Sequence, residues 1–213
     1  MTQPPEFDAA FRAKLEDLFR WRRDVRHFKR DPVAPDVLDA LLDQAFLAPS
    51  VGYSQPWRFV SVEDASLRAA VRENFLHCNK DALADYAGER AKLYASLKLS
   101  GLDDAPVHLA VFSDQESETG HGLGQKTMPE SRAFAAVMAI YTLWLAARAQ
   151  GIGMGWVSIL DPERIKELLR VPDAWQFVAY LCVGYPKEIA EEPELKRRGW
   201  EDTDPAAHKL LKR

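Results

Sequence analysis

Residues 131–159 read SRAFAAVMAIYTLWLAARAQGIGMGWVSI, and this stretch decides the class of fold. From Ala133 to Ala147 the chain is apolar apart from Tyr141 and Thr142, and Arg148 closes the run. These 15 residues fall short of the roughly 20 that a membrane helix needs. The run therefore predicts a helix over 131–149, buried on most of its surface in a globular domain. Gly151, Gly153 and Gly155 follow. A dinucleotide-binding fingerprint is G-x-G-x-x-G placed after a strand and before a helix. Here the spacing is wrong and the order is inverted. A helix C-cap and a tight turn explain the glycines better, leading into a strand from Trp156 to Ile159.

Outward from there, helices and strands alternate irregularly. Phe7, Phe11, Leu15, Leu18 and Phe19 recur at spacings of three and four and predict an amphipathic helix over 6–22. Pro35 and Asp36 open a second helix, which Ala48-Pro49 ends. A small-residue loop, Ser50 to Trp57, precedes a strand from Arg58 to Val62. Helices are expected over 64–77, 79–99 and Pro162 to Leu169. Core strands are expected from Val107 to Phe112 and from Phe177 to Val183, with a loop over 114–128. There is no repeat and no long linker. The reading is one domain over 1–213, α/β or α+β, with one sheet covered by helices.

Composition narrows the function classes. The 213 residues are 47% hydrophobic and 28% charged, which excludes a disordered chain. The net charge of −4 argues against a surface built to grip nucleic acid. Cys78 and Cys182 stand far apart, so neither a disulfide framework nor a zinc knuckle is expected. The first ten residues lack the basic and apolar regions of a secretory signal. The expectation is a cytoplasmic protein without a membrane span. The five histidines show no ligand spacing, so no metal site is expected.

The chemistry concentrates in residues 20–30, RWRRDVRHFKR, where six of 11 residues are Lys or Arg and one is acidic. Guanidinium groups bond phosphate in pairs, so such a cluster suits an anionic ligand. A solvated charged surface is the plainer alternative, but Trp21, Val25 and Phe28 interleave the charges. Asp24 is either an internal salt-bridge partner or a carboxylate beside a bound anion, available for proton transfer. Gly120 to Thr127 resembles a phosphate loop, but Gln125 stands where Walker A requires Gly. Ser158 lies in Gly-Trp-Val-Ser-Ile rather than G-x-S-x-G, so on pattern alone its hydroxyl bonds backbone.

Several segments together carry a resemblance. Arg22-Arg23-Asp24-Val25-Arg26 resembles the R-R-S-x-R opening of flavin-dependent nitroreductases, with Asp in place of Ser. Ala48-Pro49-Ser50 followed by Gln55-Pro56-Trp57 resembles their A-P-S…Q-P-W element. With Ser96 to Gly101, Leu143 to Gly151 and Gly155 to Ile159, five ordered segments over about 18–200 are similar to the BluB family, the 5,6-dimethylbenzimidazole synthases. The resemblance implies an α+β nitroreductase-like three-layer fold, a mixed sheet covered by helices, and a homodimer with FMN at the interface. It implies that reduced FMN is the substrate and O2 the co-substrate. The products would be 5,6-dimethylbenzimidazole, the lower ligand of vitamin B12, and erythrose 4-phosphate. A separate flavin reductase would supply reduced FMN, so that NAD(P)H takes part only indirectly.

The same resemblance implies residue roles. Arg22, Arg23 and Arg26 would lie near the FMN phosphate and ribityl chain, with Val25 among them. Pro49, Ser50 and Val51 would approach the flavin from the partner subunit, and Gln55 would also bind it. Ser96, Trp156, Val157, Arg198 and Gly199 would line or flank it. Asp24 and Ser158 would be the catalytic side chains. Two regions depart from the family pattern, namely 131–142 and the acidic 201–205, where relatives carry basic residues. The rival readings are an NAD(P)H-dependent nitroreductase or quinone reductase and a non-catalytic flavin-binding protein.

Overall fold

The computed structural model describes residues 3–97 and 100–212. The elements in order are α1 (Ala9–Trp21), α2 (Pro35–Ala45), β1 (Trp57–Ser61), α3 (Ala65–Ala84), α4 (Gly88–Ser96) and α5 (Gly101–Asp104). Then follow β2 (Val107–Asp114), α6 (Ser131–Ala149), β3 (Gly153–Val157), α7 (Pro162–Leu169), β4 (Trp175–Gly184) and α8 (Glu194–Arg197). Helix starts follow local chemistry. Asp8, Asp64 and Asp161 each accept backbone N–H groups at the N-termini of α1, α3 and α7, and Pro35 and Pro162 occupy first turns.

The strands form one sheet of order β1-β2-β4-β3, antiparallel at every pairing. The mixed character expected of the sheet reduces, among the described residues, to one parallel bridge, between Asp24 and Met154. Alternation along β2 and β4 sorts the core into two layers. Leu109, Val111, Ala179, Leu181 and Val183 meet Leu41 of α2 and Ile140 and Leu143 of α6. Ala110, Phe112, Tyr180 and Cys182 meet Val71 of α3 and Ile165 of α7. Helices thus cover both faces, and the fold is α+β in three layers.

The helix α6 spans the expected residues. It is long and apolar enough for a membrane on composition alone, but Ala135, Ala136, Ala139, Ile140, Leu143 and Ala147 are fully buried in the core. Its end is a Schellman motif. Gly151 takes φ +75°, its N–H bonds Arg148 at 3.0 Å, and the Ile152 N–H bonds Ala147 at 2.9 Å.

Two expectations need correction. The strand after α6 is Gly153–Val157, not Trp156 to Ile159, so Gly153 and Gly155 are strand residues rather than turn residues. Their reason is packing: a Cβ on Gly155 would lie 2.2 Å from the Val25 carbonyl oxygen, and one on Gly153 2.7 Å from Val25 Cγ2. The helices expected over 64–77 and 79–99 instead divide at Asp85–Ala87, where α3 ends and Gly88 (φ +58°) opens α4. Lys98 and Leu99, which that expectation and the Ser96 to Gly101 segment include, lie outside the described residues.

Candidate active site

After α1 the chain turns extended at Arg22 and runs beside β3. The Val25 N–H bonds the Met154 carbonyl at 2.8 Å, and Phe28 bridges Pro186. The absence of side chains at Gly153 and Gly155 is what lets this segment lie so close. The approach delivers Asp24 to the strand end. Its Oδ1 accepts the Trp156 N–H at 2.9 Å, and its Oδ2 lies 3.5 Å from Arg26 Nε. Burial raises its pKa above the ordinary carboxylate value, against the opposing pull of the Trp156 N–H and Arg26. The side chain keeps 39% of its surface open, so the group remains accessible.

What it opens onto is a cleft of about 200 Å³. The floor is Asp24, Arg26 and the strand end Trp156, Val157, Ser158 and Ile159. The wall is Phe75 and Asn79 of α3 with Tyr94 and Leu97 at α4, and the tail adds Leu195 and Trp200. Trp200 meets Tyr86 edge-on at 5.5 Å and Tyr94 at 6.0 Å, and the Arg90 guanidinium sits 4.1 Å from its ring centroid. The acidic tail residues form ion pairs here: Glu201 with Arg90 at 3.8 Å and Asp202 with Lys196 at 2.9 Å. A smaller polar cleft adjoins, lined by Arg23, Asp24 and Arg26 with His27, Glu194 and Arg197.

The structure thus brings Asp24, Arg26, Trp156, Val157 and Ser158 together in one cleft. Val25 backs them as the residue that β3 holds. Arg22 does not line the cleft: its guanidinium lies 5.2 Å from the Trp144 ring centroid, and its buried Nε has no partner among the described residues. Arg23 bonds the backbone carbonyls of Arg20, Arg22 and Ala190, so it braces the helix end against the tail.

The remaining expected residues lie elsewhere. Pro49, Ser50, Val51 and Gln55 do not line this cleft. Their loop is a 3-10 turn in which Ser50 Oγ accepts the Gln55 N–H at 3.1 Å. Gly52 packs so closely under Gly120 that a Cβ on Gly120 would lie 2.5 Å from the Gly52 oxygen. Ser96 is exposed, its hydroxyl donating to Leu93 at 2.7 Å. Arg198 faces Glu194 at 3.6 Å, and Gly199 (φ +73°) turns the chain so that the next residue, Trp200, reaches the cleft. Sequence reasoning missed Phe75, Asn79 and Tyr94. Nothing in their local pattern distinguishes them from ordinary helix residues.

The donor set fits a planar, anionic ligand. Aromatic side chains offer flat contact area, Arg26 offers a cationic donor, and Asp24 offers a base. Among the described residues no group of acidic, His or Cys side chains is arranged to hold a metal ion.

Comparison with known proteins agrees. The nitroreductase family profile matches residues 19–185. The chain is 53% identical over 213 residues to a 5,6-dimethylbenzimidazole synthase of Rhodospirillum rubrum, covering all of both chains. It is 47% identical over 199 residues to one of Rhodobacter capsulatus, covering 93% of this chain and 96% of that one. A crystal structure of oxidized iodotyrosine deiodinase bound to FMN and 3-iodo-L-tyrosine matches with a TM-score of 0.70 at 27% identity, over 83% of this chain and 91% of that one. With the helix-covered sheet, the Asp24 cleft and a full-length match at 53% identity in hand, the chain belongs to the nitroreductase family and, within it, to the 5,6-dimethylbenzimidazole synthases.

Proposed function

We propose that this protein uses O2 to fragment reduced FMN into 5,6-dimethylbenzimidazole, erythrose 4-phosphate and the remaining pyrimidine portion of the isoalloxazine. The observation that carries the reading is Asp24: a carboxylate fixed by the Trp156 N–H, raised in pKa, and set beside Ser158 in an aromatic cleft. Reduced flavin supplies both the electrons for O2 and the carbon skeleton of the product. Asp24 takes the proton from the ribityl carbon that becomes C2 of the benzimidazole. Its raised pKa makes it a stronger base than a free carboxylate. Ser158 orients the substrate by hydrogen bonding. Arg26 and Arg22 hold the phosphate and ribityl oxygens, Arg23 and Val25 hold the segment in place, and Trp156 and Val157 contact the ring. Ser96, Arg198 and Gly199 belong to the rim. A nitroreductase that only passes hydride has no use for a base at the ribityl chain, so Asp24 favours the fragmentation reading.

The site is completed in a homodimer, with Pro49, Ser50, Val51 and Gln55 supplied by the partner subunit. Two observations support this. Those residues are absent from the Asp24 cleft of their own chain. A large apolar surface is exposed on α1, the residues just before it, and α6, including Phe7 (56% exposed), Phe11, Phe19, Phe134 and Tyr141. The amphipathic face expected for α1 therefore exists, but none of its residues is buried within the chain. A separate reductase supplies reduced FMN, with NAD(P)H as the reductant. The two thiols, Cys78 and Cys182, are free, as suits the cytoplasm.

The test is to incubate the protein with FMN, a flavin reductase, NADH and air. Mass spectrometry should show 5,6-dimethylbenzimidazole accumulating as flavin disappears. The Asp24→Asn protein should still bind FMN and lose product formation by at least about 100-fold, the scale of a lost general base. Flavin that survives repeated reduction and oxidation would return the chemistry to that of a nitroreductase or a flavin-holding protein.

A further inference from the structure

Helix α3 carries two asparagines five residues apart with opposite fates. Asn74 is buried, its Nδ2 donating to the Asp161 carbonyl at 3.2 Å and its Oδ1 accepting the Asp161 N–H at 2.9 Å. Both ends of that amide join α3 to the start of α7. Five residues turn a helix by roughly 500°, so Asn79 faces elsewhere. It lines the cleft that holds Asp24 and Ser158. Its Oδ1 accepts the Tyr94 hydroxyl at 2.9 Å. With the oxygen engaged, the two N–H donors of Nδ2 remain, and among the described residues they have no protein acceptor.

We infer that Asn79 contacts the substrate, its carboxamide donating a hydrogen bond to an oxygen or nitrogen acceptor of flavin bound in the Asp24 cleft, while Tyr94 is a positioning residue that fixes which end of the amide faces inward. The inference rests on the flavin reading above. A neutral donor suits this wall. The isoalloxazine edge presents mainly acceptors, and the floor already carries the base Asp24 and the cation Arg26, so a second charge would upset their pairing at 3.5 Å. The Tyr94 hydroxyl matters because an amide presents donors or acceptors depending on a half-turn about its last torsion. Tyr94 also joins the wall to the tail through Trp200, so the donor is set only when the tail is in place.

The experiment measures Kd for oxidised FMN by fluorescence titration and kcat and KM for benzimidazole formation. It uses the full-length protein and the variants Asn79→Ala, Asn79→Asp, Tyr94→Phe and Asn79→Ala/Tyr94→Phe. Asn79→Ala should weaken FMN binding and lower kcat/KM by about 5- to 10-fold, the scale of one lost hydrogen bond. Asn79→Asp, which removes the donors and adds a charge, should do at least as much. Tyr94→Phe should cost about 2- to 3-fold, and the double variant should be no worse than Asn79→Ala, because Tyr94 acts through Asn79. Asn79→Ala within twofold of the unsubstituted protein in both Kd and kcat/KM would overturn the contact. Fully multiplicative losses in the double variant would overturn the role of Tyr94. An unsubstituted protein that binds FMN but makes no benzimidazole would sink the reaction, and the FMN Kd values would then decide the Asn79 contact by themselves.

Discussion

The floor and the cover of the cleft are built in different ways. The floor is carried by a row across the sheet: His108 on β2 pairs with Cys182 on β4, and Cys182 pairs with Gly155 on β3, the strand that leads to Trp156. Gly155 in turn lies against the Val25 backbone. His108, Cys182 and Gly155 are all buried. The cover is α4 and the tail. No residue of α4 is buried, and its hold on the tail is the Tyr86–Tyr94–Trp200 cluster with Arg90. On the proposed reading, Asp24 must stay in register with its target, whereas a bulky substrate must enter and leave. Rigidity under Asp24 and weak attachment above it meet both needs.

The largest expected effect falls on the floor. Gly155→Ala places a methyl group 2.2 Å from the Val25 oxygen. Backbone cannot rotate away, so the substitution should cost about 3 kcal/mol in urea unfolding and displace Asp24. Gly153→Ala meets only the Val25 side chain, which can shift, and should cost about 1 kcal/mol. If the two cost the same, the close backbone approach is not what sets the floor.

Acid should act on the floor as well. His108 is buried, its ring bonded to the Tyr180 hydroxyl at 2.9 Å. Burial, aided by the nearby Arg68, lowers its pKa from 6.5 to about 4. A histidine depressed in the folded state stabilises above its unfolded pKa. As pH falls from 6.5 towards 4 the unfolded chain gains a proton that the folded one refuses. That difference amounts to about 3 kcal/mol by linkage. Unfolding measured across this window should show the loss, and His108→Gln should flatten it.

The smallest effect belongs to the cover. Trp200→Ala removes two aromatic contacts and the Arg90 stacking. Global stability should change by about 1 kcal/mol or less. Amide exchange over residues 88–96 should nevertheless quicken, and KM for flavin should rise. A large global loss with unchanged exchange would make the cover part of the core.

The difference between the regions also tracks what could be read in the sequence. The floor segment announced itself as basic residues interleaved with Trp21, Val25 and Phe28, because charges packed among apolar residues are unusual. The split of α3 from α4 at Asp85–Ala87 was not readable, since nothing local before Gly88 forbids a continuing helix. Arg23 looked like Arg22 and Arg26 in the chain, yet it holds three backbone carbonyls.

The sequence by itself determined α6 and its Gly151 cap, the Pro- and Asp-marked helix starts, and the Arg22–Arg26 cluster with Asp24 inside it. These are effects of residues on neighbours within a turn or two, so they are written locally. Only the tertiary structure decided why Gly153 and Gly155 are glycines, which arginines face the cleft, and that Asn79 rather than Asn74 looks into it. Those outcomes depend on groups far apart in the chain, as with Gly155 and Val25, which meet only once the sheet has formed.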